Sequence, residues 1–191
     1  DIMCTTNNIV KLFIAFLFSS ILFGKSNENE VLKSDLDSLN TLTKKSPERA
    51  IRFARELLKK VAPISESNFE YKINNTLGEI FLDLQMYGQA MSHFTEANMI
   101  REKLGKGSAP WLLINIGNVY YQQQKYIKAR EYYLNGLDIF NSLKHNQDNR
   151  VSGRKVSLSN LGRIEVRIKN YDKALNYFRE ALDVSRNSPR F

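Results

Sequence analysis

The chain has 191 residues, 42% apolar and 25% charged, with only 4 prolines and 9 glycines. This composition excludes wholesale disorder and favours long helices over a turn-rich β fold. The formal net charge is +8, but the basic residues are scattered, so we expect no nucleic-acid partner. Because Cys4 is the single cysteine, a disulfide framework or a thiolate metal site within one chain is excluded.

The first element along the chain is an unbroken apolar run over residues 12–23, preceded by Lys11. The run is shorter than the roughly 20 residues that a membrane-spanning helix needs. A basic start and small residues at Gly24 and Ser26 are typical of a secretory signal. We therefore predict a signal peptide, or an uncleaved N-terminal anchor, over residues 1–26 and an exported, periplasmic or extracytoplasmic, location. A buried helix of the folded domain is the alternative.

One pattern then recurs three times. An aliphatic residue and a Gly are followed nine residues later by Tyr, and then by Ala, an aromatic residue and a small residue at steps of three, four and three. This spacing predicts facing stripes on two antiparallel helices, with small residues that let the backbones approach. The packing residues are Leu77, Gly78, Tyr87, Ala90, Phe94 and Ala97; Ile116, Gly117, Tyr126, Ala129, Tyr133 and Gly136; and Leu161, Gly162, Tyr171, Ala174, Phe178 and Ala181.

These positions closely resemble the tetratricopeptide repeat, in its exported bacterial type. The resemblance implies an all-α fold, a right-handed superhelical stack of antiparallel helical hairpins that covers residues 27–191. The repeats are expected at about 28–62, in degenerate form, and at 67–104, 110–143 and 152–186.

The copies depart from the family in two ways. They advance by 39 and 45 residues instead of the usual 34 or so, and we expect a polar connector near residues 145–153 to hold most of the longer advance. In addition, Glu165 stands where the first two copies have Phe81 and Tyr120. We expect this carboxylate to leave the third first helix less well packed.

Catalytic chemistry has little support in the sequence. The two histidines, His93 and His145, lie in a predicted helix and in a polar connector, and no Gly-rich phosphate loop is present. His93 and Glu96 are one helical turn apart, but two ligands are too few for a metal site. We predict a protein that is not an enzyme and that needs no metal and no cofactor.

The resemblance implies that the first helices of successive hairpins line a concave groove that takes a protein or peptide segment. Once the packing face is assigned, the remaining stripe grades from acidic through amide to basic side chains, which could fix the direction of a bound segment. The candidate groove residues are Glu79, Asp83, Asn115, Asn118, Tyr121, Gln122, Asn160, Arg163 and Arg167. A clamp for terminal carboxylates is disfavoured, because Asn75 and Glu79 stand where such a clamp has Lys and Asn.

Two functions therefore stay open. The first is a non-catalytic protein-binding or peptide-binding scaffold. The second is the extracytoplasmic sensory input region of a larger bacterial signalling protein, a histidine kinase or helix-turn-helix regulator. Apolar residues on the last helix, where a polar capping face is usual, motivate the second function; they are Leu175, Phe178 and Leu182. We expect a membrane to be involved only through the N-terminal segment or a C-terminal continuation.

Overall fold

A computed structural model describes residues 29–62, 68–144 and 147–186, so the signal-peptide prediction and His145 lie outside the described residues. The chain divides into two compact units, residues 1–53 and 54–191, which are described separately. The helices are α1 (residues 29–45), α2 (Pro47–Val61), α3 (Asn68–Asp83), α4 (Tyr87–Lys103), α5 (Pro110–Gln122), α6 (Tyr126–Ser142), α7 (Gln147–Arg167) and α8 (Tyr171–Arg186). The described residues contain no strand, and the predicted all-α class is confirmed.

The first unit contains α1 and the beginning of α2. Leu32, Leu36 and Leu39 are buried at a spacing of four and three residues, which is one face of a helix. Ala50, near the start of α2, is buried in the same unit. The range 28–62, where a degenerate repeat is predicted, contains the helices α1 and α2, which are joined at Ser46.

The second unit contains three hairpins, α3–α4, α5–α6 and α7–α8, each joined by a tight turn. The turns contain one residue each in the left-handed region, Gln85, Gln124 and Lys169, with φ of 59°, 60° and 63°. In the second turn Gln124 N–H donates to the Tyr121 carbonyl and Lys125 N–H to the Tyr120 carbonyl, both at 2.9 Å. The other two turns make the same pair of bonds, a Schellman ending of the first helix. This shared ending explains the constant nine-residue step from Gly to Tyr.

Inside each hairpin a glycine lies directly under an aromatic ring of the partner helix. A Cβ atom on Gly117 would lie 2.6 Å from the Tyr133 ring, and Gly162 has the same relation to Phe178. The structure buries most of the predicted packing residues, leaves Tyr87 and Tyr126 half-buried, and exposes Tyr171 and Phe178 on α8. The buried ones are Leu77, Gly78, Ala90, Phe94, Ala97, Ile116, Gly117, Ala129, Tyr133, Gly136, Leu161, Gly162, Ala174 and Ala181.

The expected connector near residues 145–153 is largely helical, which corrects the sequence prediction. α7 begins at Gln147 and has 21 residues, so the longer repeat advance extends this helix and not a loop. Two contacts hold the added turn. Trp111 Nε1 donates to Asn149 Oδ1 at 2.6 Å, and Gly153 is buried against the Phe140 ring.

Glu165 is also buried and well packed, contrary to the expectation of a loosely packed helix. Its side chain has no exposed surface, and it accepts a 2.6 Å hydrogen bond from Arg130 on α6. Lys173 on α8 lies 3.6 Å from the same carboxylate oxygen. The ion pair compensates the burial of the charge. Within the described part of the chain, no helix is both long and apolar enough to cross a bilayer.

Candidate functional site

The first helices of the three hairpins meet around a pocket of about 390 Å³. Six of the nine predicted groove residues line it, and they come from α3, α5 and α7. These six are Asp83, Asn118, Tyr121, Gln122, Asn160 and Arg163. Three further lining residues, Leu82, Gln85 and Val156, are absent from the predicted set. Leu82 occupies the position equivalent to Tyr121, four residues after the repeat glycine, so its spacing was a usable signal; Gln85 reaches the pocket through its turn conformation.

Hydrogen bonds join the amide side chains on the floor of the pocket. Tyr133 donates its hydroxyl to Asn118 Oδ1 at 2.8 Å, and Asn160 donates to the same oxygen at 3.4 Å. Burial raises the pKa of the Tyr133 phenol, although Arg163 acts in the opposite direction, so the hydroxyl remains a donor. Asn118 therefore supports the pocket from inside, and its oxygen is already used. Its amide nitrogen is the atom that can donate a hydrogen bond to a ligand.

Arg163 and Arg167 form the basic end of the groove around the Tyr121 side chain. The Arg163 guanidinium lies 4.7 Å from the centroid of the Tyr121 ring and donates to Asn160 Oδ1 at 3.2 Å. Arg167 Nε donates to the Tyr121 hydroxyl at 3.0 Å. Since Tyr121 is only 8% exposed, it serves as a support for two cations and not as an exposed anchor.

Glu79 and Asp83 form the acidic end, on α3. Glu79 Oε1 accepts hydrogen bonds of 2.8 Å from Asn75 and from Asn115, so this predicted groove residue links α3 to α5. Asn115 also donates to Asn75 Oδ1 at 3.3 Å. Asp83 is exposed and lines the pocket that Arg163 lines from α7. One pocket thus combines a carboxylate, a guanidinium and a set of amides.

The histidine considered for metal binding has a packing role in the first hairpin. His93 Nδ1 lies 3.0 Å from Asn74 Oδ1, and the imidazole stacks on the Phe81 ring with centroids 5.4 Å apart. Burial lowers the pKa of His93, with a further contribution from Arg55 that Glu96 opposes. The residues that the structure describes contain no group of three or more His, Cys, Asp or Glu side chains that could hold a metal ion.

The helix pairs define an α-solenoid of helical hairpins, and comparison with known proteins identifies the repeat. Residues 108–187 match the sequence model described as tetratricopeptide repeat. Residues 108–187, which contain the second and third hairpins, therefore carry tetratricopeptide repeats, as the resemblance predicted. Proteins of this family are in general scaffolds for protein interaction and not catalysts. No curated protein matches the sequence significantly.

Several solved structures share the fold. BtubC from P. vanneervenii has a TM-score of 0.66 and 22% identity, with 76% of this chain and 61% of that chain covered. PilF from Pseudomonas aeruginosa has a TM-score of 0.64 and 20% identity, with coverages of 84% and 64%. The apo form of RapI has a TM-score of 0.66 and 20% identity, with coverages of 83% and 44%. The chain thus spans less than two thirds of the length of these structures.

Proposed function

We propose that the chain is a peptide-binding scaffold that holds an extended segment of a partner protein between Asp83 and Arg163. The observation that carries this proposal is the shared pocket, in which α3 supplies a carboxylate and α7 a guanidinium. The charges are separated along the series of first helices, so a segment with one cationic and one acidic end is favoured in a single direction. Arg167 extends the basic end next to Tyr121.

The pocket is held in shape before a partner arrives. Asn160 and Tyr121 are nearly buried, and the chain of hydrogen bonds from Tyr133 through Asn118 to Asn160 fixes the amides. A preorganised site lowers the entropic cost of binding an extended peptide. Amide groups also suit the backbone of such a peptide, since each one offers a donor and an acceptor.

The test is selection from a random peptide display library with the full chain as bait. The wild type is expected to enrich peptides with basic residues toward one end and acidic residues toward the other. Arg163→Glu should remove the acidic preference, and Asp83→Lys the basic one, each with at least a tenfold loss for wild-type-selected peptides. Asn118→Ala is a poor test, because it leaves the buried Tyr133 hydroxyl without its acceptor.

A matched control keeps the charge change but moves it out of the groove. Arg179→Glu alters an exposed arginine on α8, a second helix, and should leave peptide selection unchanged. Circular dichroism of all variants should show wild-type helicity. Enrichment of the same peptides by the wild type, Asp83→Lys and Arg163→Glu would show that partners bind elsewhere.

A second candidate function is the sensory input region of a larger signalling protein, exported by means of the apolar run at residues 12–23. It is supported by the exposed apolar face of α8, since the equivalent face of α6 is covered by α7. This face consists of Tyr171, Leu175, Phe178 and Leu182. The coding sequence beyond residue 191 tests this function: an open frame leading into a membrane helix and an output domain is expected, and an immediate stop codon refutes it.

A further inference from the structure

An apolar surface surrounded by cations lies where the turns of the second and third hairpins come together. Ile127, in the first turn of α6, is 83% exposed, and Ile168, just after α7, is 46% exposed. Both side chains line one cavity of about 450 Å³, which we call the Ile127–Ile168 surface. Its other lining residues are Gln124, Lys125, Tyr126 and Lys128. An exposed apolar patch that is rimmed by polar residues is typical of an interaction site.

The charges around this surface are almost all positive. Lys125 and Lys128 line the cavity, Lys169 directly follows Ile168, and no acidic residue is part of the lining. The nearest exposed acids along the chain, Glu131 and Asp172, each lie four residues from an isoleucine of the surface. Glu165 is three residues from Ile168, but its side chain is buried and paired with Arg130. The partner of this surface must therefore be apolar and negatively charged.

We propose that the Ile127–Ile168 surface docks onto an anionic membrane, with the isoleucines in the interface and the lysines at the lipid phosphates. Lysine stems can lie along the apolar wall while their ammonium groups reach the head groups. A bilayer is favoured over an acidic polypeptide because the cavity wall is almost entirely carbon. A peptide backbone there would leave polar groups unpaired, whereas acyl chains have none to satisfy.

The experiment is cosedimentation of the full chain with two kinds of vesicle, phosphatidylcholine alone and phosphatidylcholine mixed with phosphatidylglycerol. The wild type should prefer the anionic vesicles. Ile127→Ser with Ile168→Ser should lower the partition coefficient by about tenfold or more, because the isoleucine side chains no longer insert into the membrane interface. Lys125→Gln with Lys128→Gln should lower it by roughly tenfold or more and reduce its salt dependence.

The first hairpin supplies a matched control. Met86, at the equivalent turn, is 44% exposed, but no basic residue occurs between residues 82 and 88. Met86→Ser should therefore bind anionic vesicles like the wild type. The apolar run at residues 12–23 is the same in every variant, so differences between variants report the Ile127–Ile168 surface alone.

Insertion at residue 127 is measured separately with Ile127→Trp and brominated lipids. Its tryptophan fluorescence should be quenched more than that of the wild type, whose Trp111 gives the background. Equal partition of the wild type and the double-serine variant, or no added quenching at residue 127, overturns the proposal. Binding to polyglutamate through the same residues without vesicle binding would assign the surface to an acidic polypeptide and would also overturn it.

Discussion

The two junctions between successive hairpins in the second unit use equivalent positions but different chemistry. Where α4 meets α5, Met91 and Tyr120 line an open cavity of about 420 Å³, and Tyr120 stacks on Tyr132 with centroids 5.4 Å apart. Where α6 meets α7, the same two positions hold Arg130 and Glu165, which form an ion pair at 2.6 Å. One helical framework thus accepts either an aromatic stack or a buried charge pair.

The comparison separates what the framework requires from what it tolerates. All the hairpins that these junctions connect keep the glycine under the aromatic ring and the Schellman turn, because these set the distance and direction of the two helices in each hairpin. In contrast, the residue type at position 120 or 165 needs only to complement the side chains around it. The charge pair also has a cost, because Glu165 Oε2 and Arg130 Nε make no hydrogen bond within the described residues.

The largest expected effect comes from breaking the ion pair on one side. Arg130→Met places the residue of the first junction into the second and leaves Glu165 buried with Lys173 alone at 3.6 Å. We expect the free energy of unfolding to fall by about 3 kcal/mol, because an uncompensated buried carboxylate is strongly unfavourable. Urea unfolding followed by circular dichroism measures it. Glu131→Gln, on the exposed side of α6, should change stability by less than about 0.5 kcal/mol.

The double variant Arg130→Met with Glu165→Tyr gives these two positions of the second junction the residues of the first. Because both charges are removed together, stability should return to within about 1 kcal/mol of the wild type. A double variant as unstable as Arg130→Met alone would show that the two junctions are not interchangeable.

The next effect concerns a contact that only the second junction has. Gly153 on α7 is buried against Phe140, whereas its equivalent, Ser108, lies before α5 and hydrogen-bonds to Asn98 at 3.1 Å. Gly153→Ala should destabilise by about 2 kcal/mol through overpacking. Gly88→Ala is the control, since a Cβ there meets nothing within 4 Å, and a gain of about 0.5 kcal/mol is expected. Equal effects in urea unfolding would mean that the Phe140 contact relaxes freely.

The sequence was sufficient for those features that repeat and insufficient for those that occur once. The glycine, aromatic and alanine positions recur at constant steps, so spacing predicted the three hairpins. The family resemblance then implied the groove to which Asp83, Asn118 and Arg163 were assigned. The pairing of two side chains across a junction does not recur in the sequence, so spacing does not reveal it. Arg130 and Glu165 are 35 residues apart, and neither has a counterpart of the same type in another repeat. The first turn of α7 was not predicted, because its polar sequence resembles a loop. In the structure, Phe140 and Trp111 pack against it.

The smallest expected effect concerns one position on the second helix of each hairpin, which faces residue 81, 120 or 165 on the first helix. It holds His93, Tyr132 and Tyr177, so the first hairpin alone has an imidazole there. Burial, aided by Arg55 and opposed by Glu96, lowers the pKa of His93 below its ordinary value of 6.5. Between the two pKa values the unfolded chain binds more protons than the native one, so stability is retained above about pH 7 and falls as the pH drops through 6.5.

His93→Tyr gives this position the residue of the other two hairpins and should make the unfolding midpoint less dependent on pH between 7 and 5. Loss of the contact with Asn74 changes stability at every pH, whereas the slope reports the imidazole. The measurement is the thermal midpoint of both proteins at half-unit steps across this range. His145 and all the carboxylates are common to both, so their contributions cancel in the difference. Parallel curves would mean that His93 titrates alike in the folded and unfolded chains, and that its stacking on Phe81 does not set its charge state.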